Sequence, residues 1–307
     1  AIADSRWRMA FGVKIGIVDV GSNTIRLLVA RRQAGRLVAL TEKRQHLFLG
    51  EDVEREGRLT SPRIHQAARC AAAYTRSARA LGVDSVDVIV TAPGRQSANG
   101  DQLVRELAVA TAAPVRVLAA DEEGRLAFAG AVAAARGLPE SVAVCDVGGG
   151  STEAVVGTAV GGPAWSRSLD IGAVRLTERF LADDPPSKRA LAPARAEVER
   201  HLEGFAPPLP QAALASGGTA RALRKLVGRE LEAEEFEAAL HILGKRPSAA
   251  VAKTFGLHEH RARTLAAGAV ILSCLQARLG VPLKVSRAGL REGAALALLD
   301  DLAAAAA

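Results

Sequence analysis

The sequence predicts an α/β protein of two similar domains facing each other across a cleft. Three observations lead there. A strand–Asp-x-Gly–strand device occurs twice, at Asp19 and at Asp146, 127 residues apart. About 70 residues after each copy, an apolar strand runs into a loop of small residues and then a helix. Ala-rich helical stretches separate the strands. Self-similarity in the same order and at near-equal spacing marks a duplicated unit.

The elements follow in chain order. Met9 is the sole methionine and the first strand starts four residues later, so Met9 reads as the natural initiator and residues 1–8 as a cloning remnant. Residues 13–20 form an apolar, β-branched run, broken by Asp19-Val20-Gly21-Ser22-Asn23-Thr24 and resumed over 25–30. Two short strands about a Gly/Asn turn read as a hairpin. A helix is expected over 62–81. The strand at 86–90 ends in Thr91-Ala92-Pro93-Gly94-Arg95 and leads into a helix over 100–110. The halves join near Asp121–Gly124, giving domains at 13–123 and 124–293, with a C-terminal helix at about 294–304 expected to pack back on the first domain. In the second half, a strand at 141–147 meets Gly148-Gly149-Gly150-Ser151-Thr152-Glu153 and continues over 154–157. Laying Asp146 on Asp19 puts Gly148 on Gly21, Ser151 on Thr24 and Val155-Val156 on Leu28-Val29. Pro185-Pro186 and residues 206–210 mark loops around a helix at 192–202. The strand at 212–215 ends in Ser216-Gly217-Gly218-Thr219, followed by a helix over 220–227.

Composition narrows the function. Of the 307 residues 49% are apolar and 24% charged, a globular profile. Aromatics at 3% exclude a stacking platform for single-stranded nucleic acid. The net charge is +7, and thirty-three of the forty basic residues are arginine. Arginine forks match phosphate oxygens, which favours a phosphorylated ligand, although base composition of the genome also enriches Ala and Arg together. Cys70, Cys145 and Cys274 lie far apart with no CxxC pair, which suits a reducing cytoplasm. The apolar stretches at 126–135 and 265–275 fall short of the roughly 20 residues of a membrane span, and no secretory h-region is read at the start.

A turn of small residues after a strand lets backbone N–H groups converge on one anion. Either turn alone is ordinarily just a tight hairpin. Two in register, each led by an aspartate, point instead to paired phosphate loops, with hard carboxylate oxygens for a phosphate-bound divalent cation. Arg26, leaving the first loop, and Arg95, at a helix entry, could face the same anion. Asp121-Glu122-Glu123 precede a helix, where acidic residues cap the dipole; at the join between halves they also offer a general base. There is no GxxxxGK[ST] loop, no GxGxxG after a strand and no HExxH. His258 and His260 read as a surface pair.

Taken together, IVDVGSNTIRLLVA, TAPGRQSANGDQLVREL, LAADEEGRLAFAGA, VCDVGGGSTEAVVG, SLDIGAVRLTERFL, ALASGGTARAL and VSRAGLREG resemble the exopolyphosphatase/guanosine pentaphosphate phosphohydrolase family. The resemblance runs in order over nearly the whole chain. It implies two RNase H-like domains of the actin-like ATPase superfold. It also implies that Glu123 is the water-activating base and that Asp146 and Glu153 serve magnesium and catalysis, with Asp19 a further candidate ligand. Gly21, Ser22, Asn23 and Arg26 then belong to the first phosphate loop, Arg95 to an arginine segment, Gly148, Gly149, Gly150 and Ser151 to the second turn, and Ser216, Gly217 and Thr219 to the glycine loop. The chain departs from the pattern at Ala92, where a serine is usual, which removes one hydroxyl. It also lacks the C-terminal phosphohydrolase-like extension of longer members.

The expected activity is release of orthophosphate from the ends of inorganic polyphosphate, dependent on Mg2+. Guanosine pentaphosphate is the alternative substrate; an actin-like sugar kinase and a non-catalytic polyphosphate or alarmone sensor are more remote. The expected partner is thus one of these polyanions, with no nucleic acid and no membrane, and a homodimer is left open.

Overall fold

The computed structural model describes residues 12–306, so the reading of Met9 and residues 1–8 lies outside the described residues. The chain divides into two units. One runs to Ala119 and takes the chain up again from Arg291; the other is Ala120–Leu290.

In the first unit β1 (Lys14–Val20), β2 (Thr24–Gln33) and β3 (Arg36–His46) form an antiparallel meander, and β4 (Ser85–Val90) and β5 (Val115–Val117) add on the other side of β1 in parallel. The order is β3-β2-β1-β4-β5. Among the described residues up to Ala119 the helices are α1 (Leu49–Glu56), α2 (Ser61–Ala80), α3 (Ala92–Gln96) and α4 (Gly100–Thr111). Alternate residues of a strand share a face. Val18, Val20, Ile25, Leu27 and Val29 therefore point together, and they pack with Ile64, Ala67, Ala71 and Tyr74 of α2.

The second unit starts with α5 (Ala120–Ala134) and repeats the plan. Strands β6 (Val142–Val147), β7 (Thr152–Thr158) and β8 (Gly162–Leu169) are antiparallel, β9 (Ala212–Ser216) joins β6 in parallel, and β10 (Glu230–Leu231) and β11 (Leu283–Val285) complete the order β10-β11-β9-β6-β7-β8. Read from β8, this matches the first sheet strand for strand, with β10 as an extra edge. Helices α6 (Ala173–Phe180), α7 (Lys188–His201), α8 (Gly217–Val227), α9 (Ala233–Lys245), α10 (Ser248–Phe255), α11 (Glu259–Arg263) and α12 (Leu265–Leu279) follow, and α13 (Leu290–Ala305) ends the chain. Ala143, Cys145, Val147, Ala154 and Val156 pack on one side with α12, whose residues are buried almost throughout. Both units thus have the RNase H-like strand order of the actin-like ATPase superfold.

Three sequence expectations are corrected. Asp121–Gly124 is not a connecting loop but the first turn of α5, so the units part at Ala119, and Glu123 belongs to the second rather than to a domain ending at 123. The acidic run favours that helix start because carboxylates offset the positive N-terminal end of the helix dipole. Likewise α13 begins at Leu290, so Arg291–Gly293 lie in the first unit and not at the end of a 124–293 domain. Helix α7 begins at Lys188, four residues before the expected 192, because the Ser187 hydroxyl caps Ala190 N–H at 3.3 Å.

Candidate active site

Strand register gathers the acidic residues of the second unit. Asp146 on β6 lies opposite Glu153 on β7, Glu153 lies opposite Ser168 on β8, and Asp146 pairs with Ser216 on β9. Directly opposed residues share a face, so Ser216, Asp146, Glu153 and Ser168 form one row across four strands. The same face carries Val142, Val144, Val155 and Leu214, which pack against Phe128 and Ala131 of α5. At the N-terminal end of that helix, a Cβ placed on Gly124 would lie 3.5 Å from Glu153 Cβ. The first turn of α5, which contains Glu123, therefore stands at the end of the sheet that carries the row. Glu123 and Glu153 are both buried, and the Ser168 hydroxyl donates to Glu153 Oε1 at 3.2 Å. Beside Glu153 is a cavity of about 300 Å3, lined among others by Asp121, Gly124, Ser166 and Ser168.

Two glycines crowd the half-buried Asp146 carboxylate. A Cβ on Gly217, which has φ +82°, would run into Asp146 Oδ1, and one on Gly289 would lie 3.5 Å from Oδ2 and 3.3 Å from Ser216 Oγ. On the opposite face of β6, burial pushes the Cys145 thiol up to about 12, with the Asp146 charge adding to the effect. Ser216 Oγ is fully buried and has no hydrogen-bond partner among the described residues. A buried hydroxyl in that state costs about 1–3 kcal/mol unless something binds it.

The turn after β6 is held from both sides by backbone bonds. Gly148 N–H bonds Ser151 O at 3.0 Å, while the Gly148 and Gly149 carbonyls accept from Ala173, Val174 and Arg175 at the start of α6. In a trans peptide the N–H points opposite to the C=O. The Gly149 and Gly150 N–H groups are therefore turned away from α6. Gly172 permits the approach, since a Cβ there would overlap the Gly149–Gly150 backbone. Thr219 is buried, its hydroxyl donating to Val147 O at 3.1 Å and accepting from Arg261 at 3.4 Å, so it anchors the glycine loop.

The first unit repeats this construction. Gly21 N–H bonds Thr24 O at 3.0 Å; the Ser22 carbonyl accepts from Gly50, and that of Asn23 from Leu47 and Phe48, at the start of α1. Asn23 Oδ1 meets His46 Nδ1 at 3.1 Å, but the buried Asn23 Nδ2 has no partner among the described residues. A Cβ on Gly21 would lie 3.7 Å from Thr91 Oγ1 and 4.0 Å from Asp19 Oδ1, so both side chains flank the turn. Arg26, opposite Asp19, donates from Nε to Thr24 Oγ1 at 3.1 Å. Arg95 gives one guanidinium nitrogen to Leu118 O at 2.8 Å, and Ala92, at the position of the missing hydroxyl, is buried.

Sequence reasoning missed Leu47–Gly50, which backs the first turn, and Arg261; Ser168, Gly172–Arg175 and Gly289 fall within SLDIGAVRLTERFL and VSRAGLREG but were given no role there. Their signals were small: Gly50 and Gly172 are lone glycines just before or at a helix start. Among the described residues no group of three or more His, Cys, Asp or Glu side chains is arranged to hold a metal ion. The pair Asp146–Glu153 nonetheless suits Mg2+, which takes one or two carboxylates and completes its shell with phosphate oxygens and water.

A duplicated RNase H-like fold with a small-residue turn in each unit defines an actin-like protein built to handle phosphate groups. The chain belongs to the Ppx/GppA phosphatase family, whose profile matches residues 28–302. It is 26% identical to Exopolyphosphatase 1 of Mycobacterium leprae (strain TN), over 94% of this chain and 90% of the other. The crystal structure of an exopolyphosphatase-like protein superposes with a TM-score of 0.85 at 25% identity, covering 95% of this chain and 99% of that one. The Aquifex aeolicus member of the Ppx/GppA family does so with a TM-score of 0.78 at 27% identity, covering 95% and 98%.

Proposed function

We propose that the protein is a cytoplasmic, Mg2+-dependent exopolyphosphatase that hydrolyses the terminal phosphoanhydride bond of inorganic polyphosphate and releases orthophosphate. The observation that carries this reading is the row Ser216–Asp146–Glu153 beside the N-terminal turn of α5, with the buried Ser216 hydroxyl lacking a partner among the described residues. Phosphoryl transfer to water passes through a loose, charge-rich transition state, so positioning and electrostatics supply most of the rate. The Gly149 and Gly150 N–H groups and Ser216 Oγ hold the terminal phosphoryl oxygens. Glu123 accepts a proton from the attacking water as its oxygen bonds to phosphorus, and the bridging P–O bond breaks toward the shortened chain. Asp146 and Glu153 would hold Mg2+, which neutralises phosphoryl charge when bound. The turn Gly21–Thr24 and Arg26 bind phosphate in the first unit. Buried, unpaired cysteines fit a reducing compartment, and among the described residues no helix is long and apolar enough to cross a membrane.

The test compares orthophosphate release from long-chain polyphosphate and from guanosine pentaphosphate at equal concentrations of terminal groups. Comparable or faster release from polyphosphate is expected. A preference above about 100-fold for the nucleotide, about 2.7 kcal/mol of transition-state binding, would overturn the assignment in favour of a pentaphosphate phosphohydrolase.

A further inference from the structure

The two units can be compared row by row. In the second unit the cross-strand row is Ser216–Asp146–Glu153–Ser168. The same register in the first unit pairs Asp19 with Ile89 on β4, Asp19 with Arg26 on β2, and Arg26 with Arg44 on β3, giving Ile89–Asp19–Arg26–Arg44. Where one sheet sets a carboxylate beside a hydroxyl, the other sets two arginines directly opposite each other. Like charges so placed destabilise a strand pair. Nearby acids do not relieve Arg44: Glu42, two residues back on the same face, is held by Arg291 at 3.1 Å, and Arg291 also takes Glu292 at 3.3 Å. Among the described residues no hydrogen bond or ion pair engages the exposed Arg44.

We propose that Arg44 is a second anion-binding arginine of the first unit, taking a phosphoryl group next to the one held by Arg26 and the Gly21–Thr24 turn. Adjacent strands lie about 4.8 Å apart, so the two guanidinium groups can engage neighbouring units of a condensed phosphate. Two forks on one chain explain the like-charge pair, because the ligand supplies the counter-charge the protein lacks at Arg44. Arg44 therefore discriminates by the number of linked phosphates rather than by the chemistry at the terminal one.

The inference rests on the polyphosphate reading, and its test separates the two. Binding of tripolyphosphate and of orthophosphate is measured by calorimetry on the whole protein, with Arg44→Ala, Arg44→Lys and, as a control at the far end of β3, Arg36→Ala. Arg44→Ala should weaken tripolyphosphate by about tenfold at low salt, leave orthophosphate unchanged and lose its effect as ionic strength rises. Lysine should recover part of the loss, and Arg36→Ala should match the wild type. In turnover, Arg44→Ala should raise KM for short chains with kcat kept. Equal tripolyphosphate affinity in the Arg44→Ala and Arg36→Ala variants overturns the inference and leaves the polyphosphate reading standing. A wild type that binds no tripolyphosphate overturns both.

Discussion

Gly217 tests the placement of Asp146 at the reacting centre. Its φ of +82° is left-handed, and a Cβ there would run into Asp146 Oδ1. The Gly217→Ala change therefore has two separable costs. Backbone strain for an L residue in that region amounts to about 1–2 kcal/mol, whatever the surroundings. For a unit of this size that is a fall in Tm of about 2–8 °C. The second cost is displacement of the Asp146 carboxylate, and a misplacement of about 1 Å is worth about 10²-fold in rate. Gly137 supplies the control, since it has φ +63° with nothing within 4 Å of a Cβ. Gly137→Ala should lose comparable stability and keep its turnover; Gly217→Ala should lose both. Thermal unfolding and phosphate release from polyphosphate, measured on both variants, read the two costs apart. If Gly217→Ala turns over within about threefold of Gly137→Ala, Asp146 does not serve the reaction and the reasoning fails.

Glu123→Gln keeps shape and removes the base, so turnover on polyphosphate should fall about 10²–10⁴-fold while affinity holds or rises; unchanged turnover would reduce Glu123 to a helix-capping residue. Ser168→Ala removes the hydroxyl from Glu153 Oε1, and kcat should drop about tenfold, with Ser168→Thr recovering it and KM unmoved. Burial pushes the Cys70 and Cys274 thiols up to about 11 and Cys145 to about 12, so alkylation by iodoacetamide at pH 8 should be slow until the protein is unfolded. The same shifts set a pH trend. The raised folded values leave the native thiols protonated while those of the unfolded chain ionise near 9, so this contribution to stability is intact below pH 9 and is lost as pH climbs through 11–12. Chemical denaturation at pH 8 and pH 10.5 checks the direction.

The duplicated hairpins were legible because their strands are apolar and their turns carry Asp and Gly at fixed offsets, signals that survive without an alignment. Strand β3 was not, since Arg36–His46 is largely exposed, alternates charge with apolar residues only loosely and bulges against β2 between Val29 and Ala30. Edge strands bury little and so leave a weak pattern. The candidate site divides the same way. Gly148–Ser151 and Ser216-Gly217 announce themselves by composition, whereas Ser168 matters only because β8 pairs with β7 in a register that puts it opposite Glu153. Gly289 matters only because the chain returns to Ser216 and Asp146 after β11. Neither relation is written in local sequence; both are products of sheet order.

The duplication explains why chemistry is assigned to the second unit and anchoring to the first. Position for position, Glu153 corresponds to Arg26, and each faces an aspartate across a hairpin. That one exchange replaces two carboxylates by a pair of opposite charges, which removes the attraction for a cation at that row. The helices repeat the contrast. Glu123 precedes Gly124 in the first turn of α5, and Glu292 precedes Gly293 in the first turn of α13, which is ion-paired to the first sheet through Arg32–Asp300 and Arg291–Glu42. Beside Glu292, however, stands the buried Arg291, which donates to Glu292 Oε1 at 3.3 Å, whereas the residue before Glu123 is another acid, Glu122. The backbone device therefore occurs twice, with Arg26 and Arg291 in the first unit where the second has Glu153 and Glu122. On the proposed exopolyphosphatase reading, the first surface grips the polyanion and the carboxylates of the second serve Mg2+ and water.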